Sequence, residues 1–211
     1  MRAITALAIA ATALGASVQS KQDAALLVHG LQASSTCITQ AEVDAAQAAW
    51  GGALQAIGAA FTGSGGSNAM DCAAAKEAAL GALGAAYAYH VEGVQMLFNP
   101  TLTYDPDTFR DTLDGALSYF VGKCSGPAHI AQDSGFALGA HDGHKTTWMG
   151  WENVTFTQMK YALATDESAP NCKLAIAQGK MTTMNVYTKQ PVTVDKTFAY
   201  IKNPDPTAPV L

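Results

Sequence analysis

The sequence predicts an α+β domain, because helix-patterned segments fill its first half, strand-patterned segments fill its second, and nothing repeats at a fixed period. Its 211 residues, 49% hydrophobic and 14% charged, can bury a real core but suffice for only one ordinary domain. A formal net charge of -5 without any run of Lys or Arg leaves no electrostatic footprint for a phosphate backbone or anionic lipid. Nucleic acid is therefore not an expected partner.

The first helix should begin at Thr39, which forms a capping box with Glu42, the hydroxyl and carboxylate satisfying N–H groups that the first turn leaves unpaired. Val43, Trp50, Leu54, Ile57 and Phe61 then recur at helical spacing until Gly63, and Thr62 to Asn68 reads as a loop. A second, Ala-rich helix is expected from Asp71 to about His90, with Leu80, Leu83 and Tyr87 on one side. Asp105 followed by Pro106 reads as a cap and first turn, and Phe109, Leu113, Ala116, Leu117 and Phe120 share a face before Gly122 stops this third helix. Beyond a loop from Lys123 to Gln132, β-branched and aromatic residues alternate in Trp148 to Tyr161, Leu174 to Val186 and Val192 to Ile201, which predicts long antiparallel strands. Phe136 to Leu138 reads as a shorter strand, joined to the next through His141-Asp142-Gly143-His144, where Asp-Gly favours a tight turn.

Met1 and Arg2 precede an apolar stretch, Ala3 to Ala16, that is too short to span a bilayer and has the length of a signal-peptide core. The expected organisation is a signal peptide over 1–20, a flexible lead-in over 21–38 and the domain over 39–211. Later segments lack the apolar length to span a membrane. Cys37, Cys72, Cys124 and Cys172 contain no Cys-x-x-Cys pair, so in an oxidising compartment they read as two disulfides. Of the three connectivities, Cys37 to Cys72 with Cys124 to Cys172 is the expectation, each pair flanking a loop or element junction. Asn153-Val154-Thr155 fits a glycosylation acceptor but lies in an expected strand.

His141, Asp142 and His144 are the most metal-like cluster, although tight-turn spacing is poor ligand geometry. His90 suits the C-terminal dipole of its helix, and Trp148 and Trp151 differ in strand parity, so at most one faces the interior. Gly-rich phosphate loops, His-Glu-x-x-His and Gly-x-Ser-x-Gly are all missing, which removes support for nucleotide, zinc-protease and α/β-hydrolase chemistry.

Five ordered blocks carry a resemblance: Leu97-Phe98-Asn99-Pro100-Thr101, Thr108-Phe109-Arg110, Gly115 to Gly122, Asp133 to Leu138, and Val194-Asp195-Lys196-Thr197-Phe198-Ala199-Tyr200. From about Ala41 to the C-terminus the chain resembles the iota-class carbonic anhydrases. The resemblance implies the cone-shaped nuclear-transport-factor-2-like fold, three helices packed on a strongly curved antiparallel sheet, shared with SnoaL-like enzymes and the association domain of calcium/calmodulin-dependent kinase II. It also implies reversible hydration of carbon dioxide to bicarbonate in the pocket, without a metal in some members and with manganese helping in others. The fold implies a homodimer through the sheet.

By the same resemblance, Thr101 and Tyr119 correspond to hydroxyl residues that hold water and substrate, and Arg110 is placed as an anion holder for bicarbonate. Read from the residues alone, Tyr119 also fits a core tyrosine, Thr101 a turn residue, and Arg110 a solvated side chain or a partner of Asp107, Asp111 or Asp114. Family members carry a His-His-Ser-Ser segment where this sequence reads Ala208-Pro209-Val210-Leu211, so the third hydroxyl of the implied site is missing and activity is expected to suffer. The alternative function is a non-catalytic domain of the same fold that binds a small ligand or self-associates. The leader implies the secretory pathway or export, or entry to an organelle such as a plastid.

Overall fold

The computed structural model describes residues 37–62, 70–139, 150–164 and 166–205, together with Ala208 and Val210. The expected signal peptide, most of the lead-in, the Gly-rich loop, the His141-Asp142-Gly143-His144 turn and Trp148 lie outside the described residues.

Helix α1 spans Gln40–Thr62 and opens on the expected capping box: Thr39 N–H donates to Glu42 Oε2 at 2.8 Å, and Glu42 N–H to Thr39 Oγ1 at 3.2 Å. Lys202 Nζ reaches the other carboxylate oxygen of Glu42 at 2.6 Å, tying the helix start to the end of the sheet. The buried stripe runs through Val43, Gln47, Gly51, Leu54, Ile57, Gly58 and Phe61. Its glycines let the helix settle onto the sheet: a Cβ on Gly58 would stand 2.7 Å from Gly150 Cα, and one on Gly51 would stand 3.1 Å from Val154. Helix α2, Cys72–Ala86, is capped by Asp71, whose carboxylate accepts from Ala74 N–H at 2.9 Å. It stops before His90, which belongs to a separate 3₁₀ turn, Ala88–His90.

Helix α3 is Leu113–Val121, starting well after Asp105 and Pro106. Thr112 is its cap, accepting from Gly115 N–H at 3.1 Å. The Asp-Pro signal is used instead in a turn of an irregular segment, where the Thr103 hydroxyl lies 2.9 Å from Pro100 O and 2.7 Å from Thr108 O. Gln132, far along the chain, bonds Tyr104 N–H, Tyr104 O and Asp107 O, so long-range partners replace the helical bonds. The expected short strand at Phe136–Leu138 is a 3₁₀ turn between Gly135 and Gly139, at φ 91° and 80°, a left-handed region that glycine enters without strain.

Strands β1 (Trp151–Ala162), β2 (Leu174–Asn185) and β3 (Pro191–Ile201) form an antiparallel sheet in the order β1-β2-β3. Register shifts interrupt β1 between Glu152 and Thr155 and between Thr157 and Lys160, and positive φ values at Asn153 and Gln158 fall at these two places. Such bulges bend and twist a strand. The architecture is α+β, with helices on one face of the sheet. Among the described residues no helix is long and apolar enough to cross a membrane.

The disulfides join Cys37 to Cys172 and Cys72 to Cys124, which corrects the expected pairing. Ile38 N–H donates to Cys172 O at 2.8 Å, bringing the start of the domain beside the turn that leads into β2, while Cys72 starts α2 against the turn after α3. Sequence flanking does not encode either proximity. Two disulfides accord with an oxidising compartment.

Candidate active site

The interior between helices and sheet is aromatic. Trp50 contacts Phe120, Phe156 and Phe198, and Tyr87, Phe98, Tyr119, Phe120 and Phe136 form a connected set of stacked and edge-on rings. Trp50 Nε1 donates to the Tyr87 hydroxyl at 3.0 Å, which gives both buried polar tips a partner.

Tyr119 lies on α3 with its ring stacked on Phe136 at 5.5 Å between centroids and edge-on to Phe98 at 5.7 Å. Burial pushes its hydroxyl far above the usual tyrosine range; nearby Tyr87 and Asp133 add to the shift, while the Leu102 backbone N–H and Arg110 oppose it. The oxygen therefore stays protonated in the neutral range, with the Leu102 backbone N–H facing it. Thr101 precedes Leu102 in the same turn and is exposed. The peptide between Thr101 and Leu102 thus links the two hydroxyl residues singled out in the sequence.

Arg110 is 1% exposed and sits in an irregular segment, not on a helix. Its Nη2 meets Asp133 Oδ1 at 2.6 Å and its Nε meets Oδ2 at 3.0 Å, while Nη1 donates to Asp107 O and Phe109 O. The Asp107 side chain, Asp111 and Asp114 are not its ion-pair partners; Asp133 is. The Tyr89 hydroxyl donates to Arg110 O at 2.6 Å, and Arg110 N–H to Phe98 O at 2.7 Å, so the segment that carries Thr101 is pinned at this point. Gly122 and Gly135 bring Asp133 alongside α3: a Cβ on Gly122 would stand 2.8 Å from the Ser134 carbonyl carbon. Asp133 and Tyr89 were missed as functional candidates. Asp133 opened one of the five ordered sequence blocks, a signal that could have found it.

A second polar feature lies on the inner face of the sheet. Lys196 Nζ is 3.7 Å from the Phe198 ring centre and 4.3 Å from that of Phe156, buried without a hydrogen-bond partner among the described residues. Desolvation brings its amine down to about 7. Alternation along β3 puts Lys196 on the face of Val194, Phe198 and Tyr200; sequence reasoning missed it, although that parity was a signal that could have found it. Because the folded amine loses its proton more readily than the unfolded one at 10.5, the unfolded chain binds more protons between those values. Stability should rise with pH across that window by a contribution that Lys196→Met abolishes; parallel pH series of urea unfolding would measure it, and identical slopes would remove the claim.

Among the described residues, no group of three or more His, Cys, Asp and Glu side chains could hold a metal ion. An apolar void of about 10 Å³ between α1 and α2, lined by Trp50, Leu54, Leu83 and Phe120, is too small for a ligand. A groove of about 470 Å³ opens between α1 and β1, bordered by Asp44, Gln47, Phe156, Met159 and Tyr161.

Comparison with known proteins adds two findings. A family model described as metal-independent carbonic anhydrase matches residues 41–210. A relative from Nostoc sp. (strain PCC 7120 / SAG 25.82 / UTEX 2576), named metal-independent carbonic anhydrase, is 35% identical over 168 residues, covering 79% of this chain and 67% of the relative.

Proposed function

The chain belongs to the metal-independent carbonic anhydrase family, and from that premise we propose that it hydrates carbon dioxide reversibly to bicarbonate and a proton, as a lyase without a metal cofactor. The observation that carries the reading is the Tyr119 hydroxyl, kept neutral by burial, braced by the Leu102 N–H and set beside the Arg110–Asp133 pair. Hydration needs a water held against the carbon and a donor facing the oxygen that gains charge. Tyr119 fits the donor, since a hydroxyl that keeps its proton can donate throughout the neutral range. Thr101, exposed at the turn, orients the incoming water. The proton leaves to solvent or buffer, because neither hydroxyl is a base at neutral pH.

Arg110 serves this site by fixing the backbone at residues 107–110, its donors being engaged by Asp133, Asp107 and Phe109. The nuclear-transport-factor-2-like cone is the fold proposed for the family, with the bulged β1 as one curved wall. A homodimer through the outer sheet face accords with half-exposed Leu174 and Ile176, and mass measurement in solution tests it. Export through the secretory pathway is the compartment proposed, on the disulfides. Binding of a small ligand without catalysis is the second reading, favoured by the groove between α1 and β1.

Stopped-flow hydration with the purified protein separates the two. The expected result is a rate above the buffer background that survives prolonged chelation. A rate equal to background overturns the enzyme reading, and a rate abolished by chelator and restored by manganese overturns the metal-free one. A version extended by His-His-Ser-Ser, assayed in parallel, reports whether that segment raises the rate.

A further inference from the structure

We propose that Lys196 is a carbon dioxide-binding lysine, its side-chain amine reversibly forming a carbamate on the inner face of the sheet. The geometry is unusual for a lysine. Long cationic side chains ordinarily reach water or a carboxylate, yet this Nζ is buried between the rings of Phe156 and Phe198 with no hydrogen-bond partner. Aromatic faces attract the ammonium form, but they do not replace its lost hydration, and desolvation is the cause that governs the amine.

The groups facing this position do not restore the charge. Phe156 comes from β1, Phe198 from β3 and Trp50, which touches both rings, from α1. The titratable neighbours of the layer are Tyr200 on β3, Tyr161 on β1 and Tyr87 after α2, all pushed up by burial and so uncharged. Asp44, the acidic residue on this side of α1, accepts the Tyr161 hydroxyl at 2.5 Å. The amine is thus a free nucleophile over a pH range where ordinary lysines are protonated.

Carbon dioxide suits the site, being small, uncharged and compatible with an apolar slot. Phe156 and Gln47, which cover this layer, also border the open groove between α1 and β1, giving a short way in from solvent. In the reaction the nitrogen lone pair forms a C–N bond to carbon, one C=O π pair moves onto oxygen, and one proton leaves the nitrogen for solvent. The product is an N-carboxylate, an anion that needs donors. Gln47 Nε2 and Tyr200 Oη belong to the same layer and are buried without a hydrogen-bond partner of good geometry, although the Gln47 amide faces the tyrosine oxygen closely enough to oppose its upward shift.

This inference takes its co-reactant from the proposed function but not its catalysis, since dissolved carbon dioxide alone is required. The test is ¹³C NMR of the full protein equilibrated with ¹³C-bicarbonate across the neutral range. A carbamate resonance should grow as pH rises through about 7 and vanish in both Lys196→Met and Lys196→Arg. The N-terminal carbamate persists in those variants as an internal control. Any label on Lys180 and Lys189, each in an ion pair at the surface, should be the same in the variants as in the parent protein. A spectrum unchanged by both substitutions, or one with the N-terminal signal alone, overturns the proposal. Hydration is measured separately, so an enzyme that turns over without this resonance sinks the carbamate and leaves the activity standing.

Discussion

Asp133→Ala should lower the unfolding free energy by about 3–5 kcal/mol, because it leaves the Arg110 guanidinium buried with two of its charge-assisted bonds unmade. Arg110→Ala should fall in the same range for the mirror-image reason, an unpaired carboxylate at the same depth. The loss comes from stranding a charge and does not measure what the pair contributes over an apolar core, so Arg110→Met with Asp133→Leu should recover most of it. Urea unfolding of the singles and the double forms a double-mutant cycle. Single losses below about 1 kcal/mol would mean the pair behaves as if solvated, and the pinning of residues 107–110 would need another cause. The pair also holds the segment that carries Thr101, so hydration should drop in the singles even where they remain folded.

Tyr119→Phe is expected to reduce hydration about 10²-fold, the order found when one preorganised donor is taken from a developing oxyanion. The ring stays, so stacking on Phe136 and the edge contacts with Phe98 and Phe120 survive. What goes is the O–H, together with the acceptor that Leu102 N–H uses, a loss of about 1–2 kcal/mol in stability. Catalysis and stability can be told apart by assaying where both proteins are fully folded. A packing role alone would leave kcat intact and move only the denaturation midpoint. Because burial keeps the hydroxyl protonated, the wild-type rate should also show no step assignable to this residue across neutral pH. Equal rates in the two proteins would remove Tyr119 from the mechanism.

The sequence was most legible where the determining interactions are local. The Thr39–Glu42 box, the α1 stripe and the three long strands lie within a few residues of their expected positions, since capping and side-chain periodicity act over one or two turns. The start of α3 was not legible. Asp105-Pro106 is a valid first-turn signal, but the Thr103 hydroxyl competes for Thr108 O, and Gln132 supplies bonds from outside any local window. That displacement changed the reading of Arg110: on a helix it would face solvent, whereas in the irregular segment it turns inward to Asp133. The turn at Phe136–Leu138 similarly follows from two left-handed glycines, not from its apolar composition.

The sequence by itself determined the class of fold, the order of its long helices and strands, and the family, because periodicity and ordered motifs are carried by neighbouring residues. Only the tertiary structure decided which cysteines join, that Arg110 is satisfied by Asp133, that the Tyr119 hydroxyl is buried against Leu102, and that Lys196 is left without a partner. Those four depend on groups brought together by the packing of the helices, the irregular segments between them and the sheet. Desolvation and long-range pairing exist only once that packing has formed.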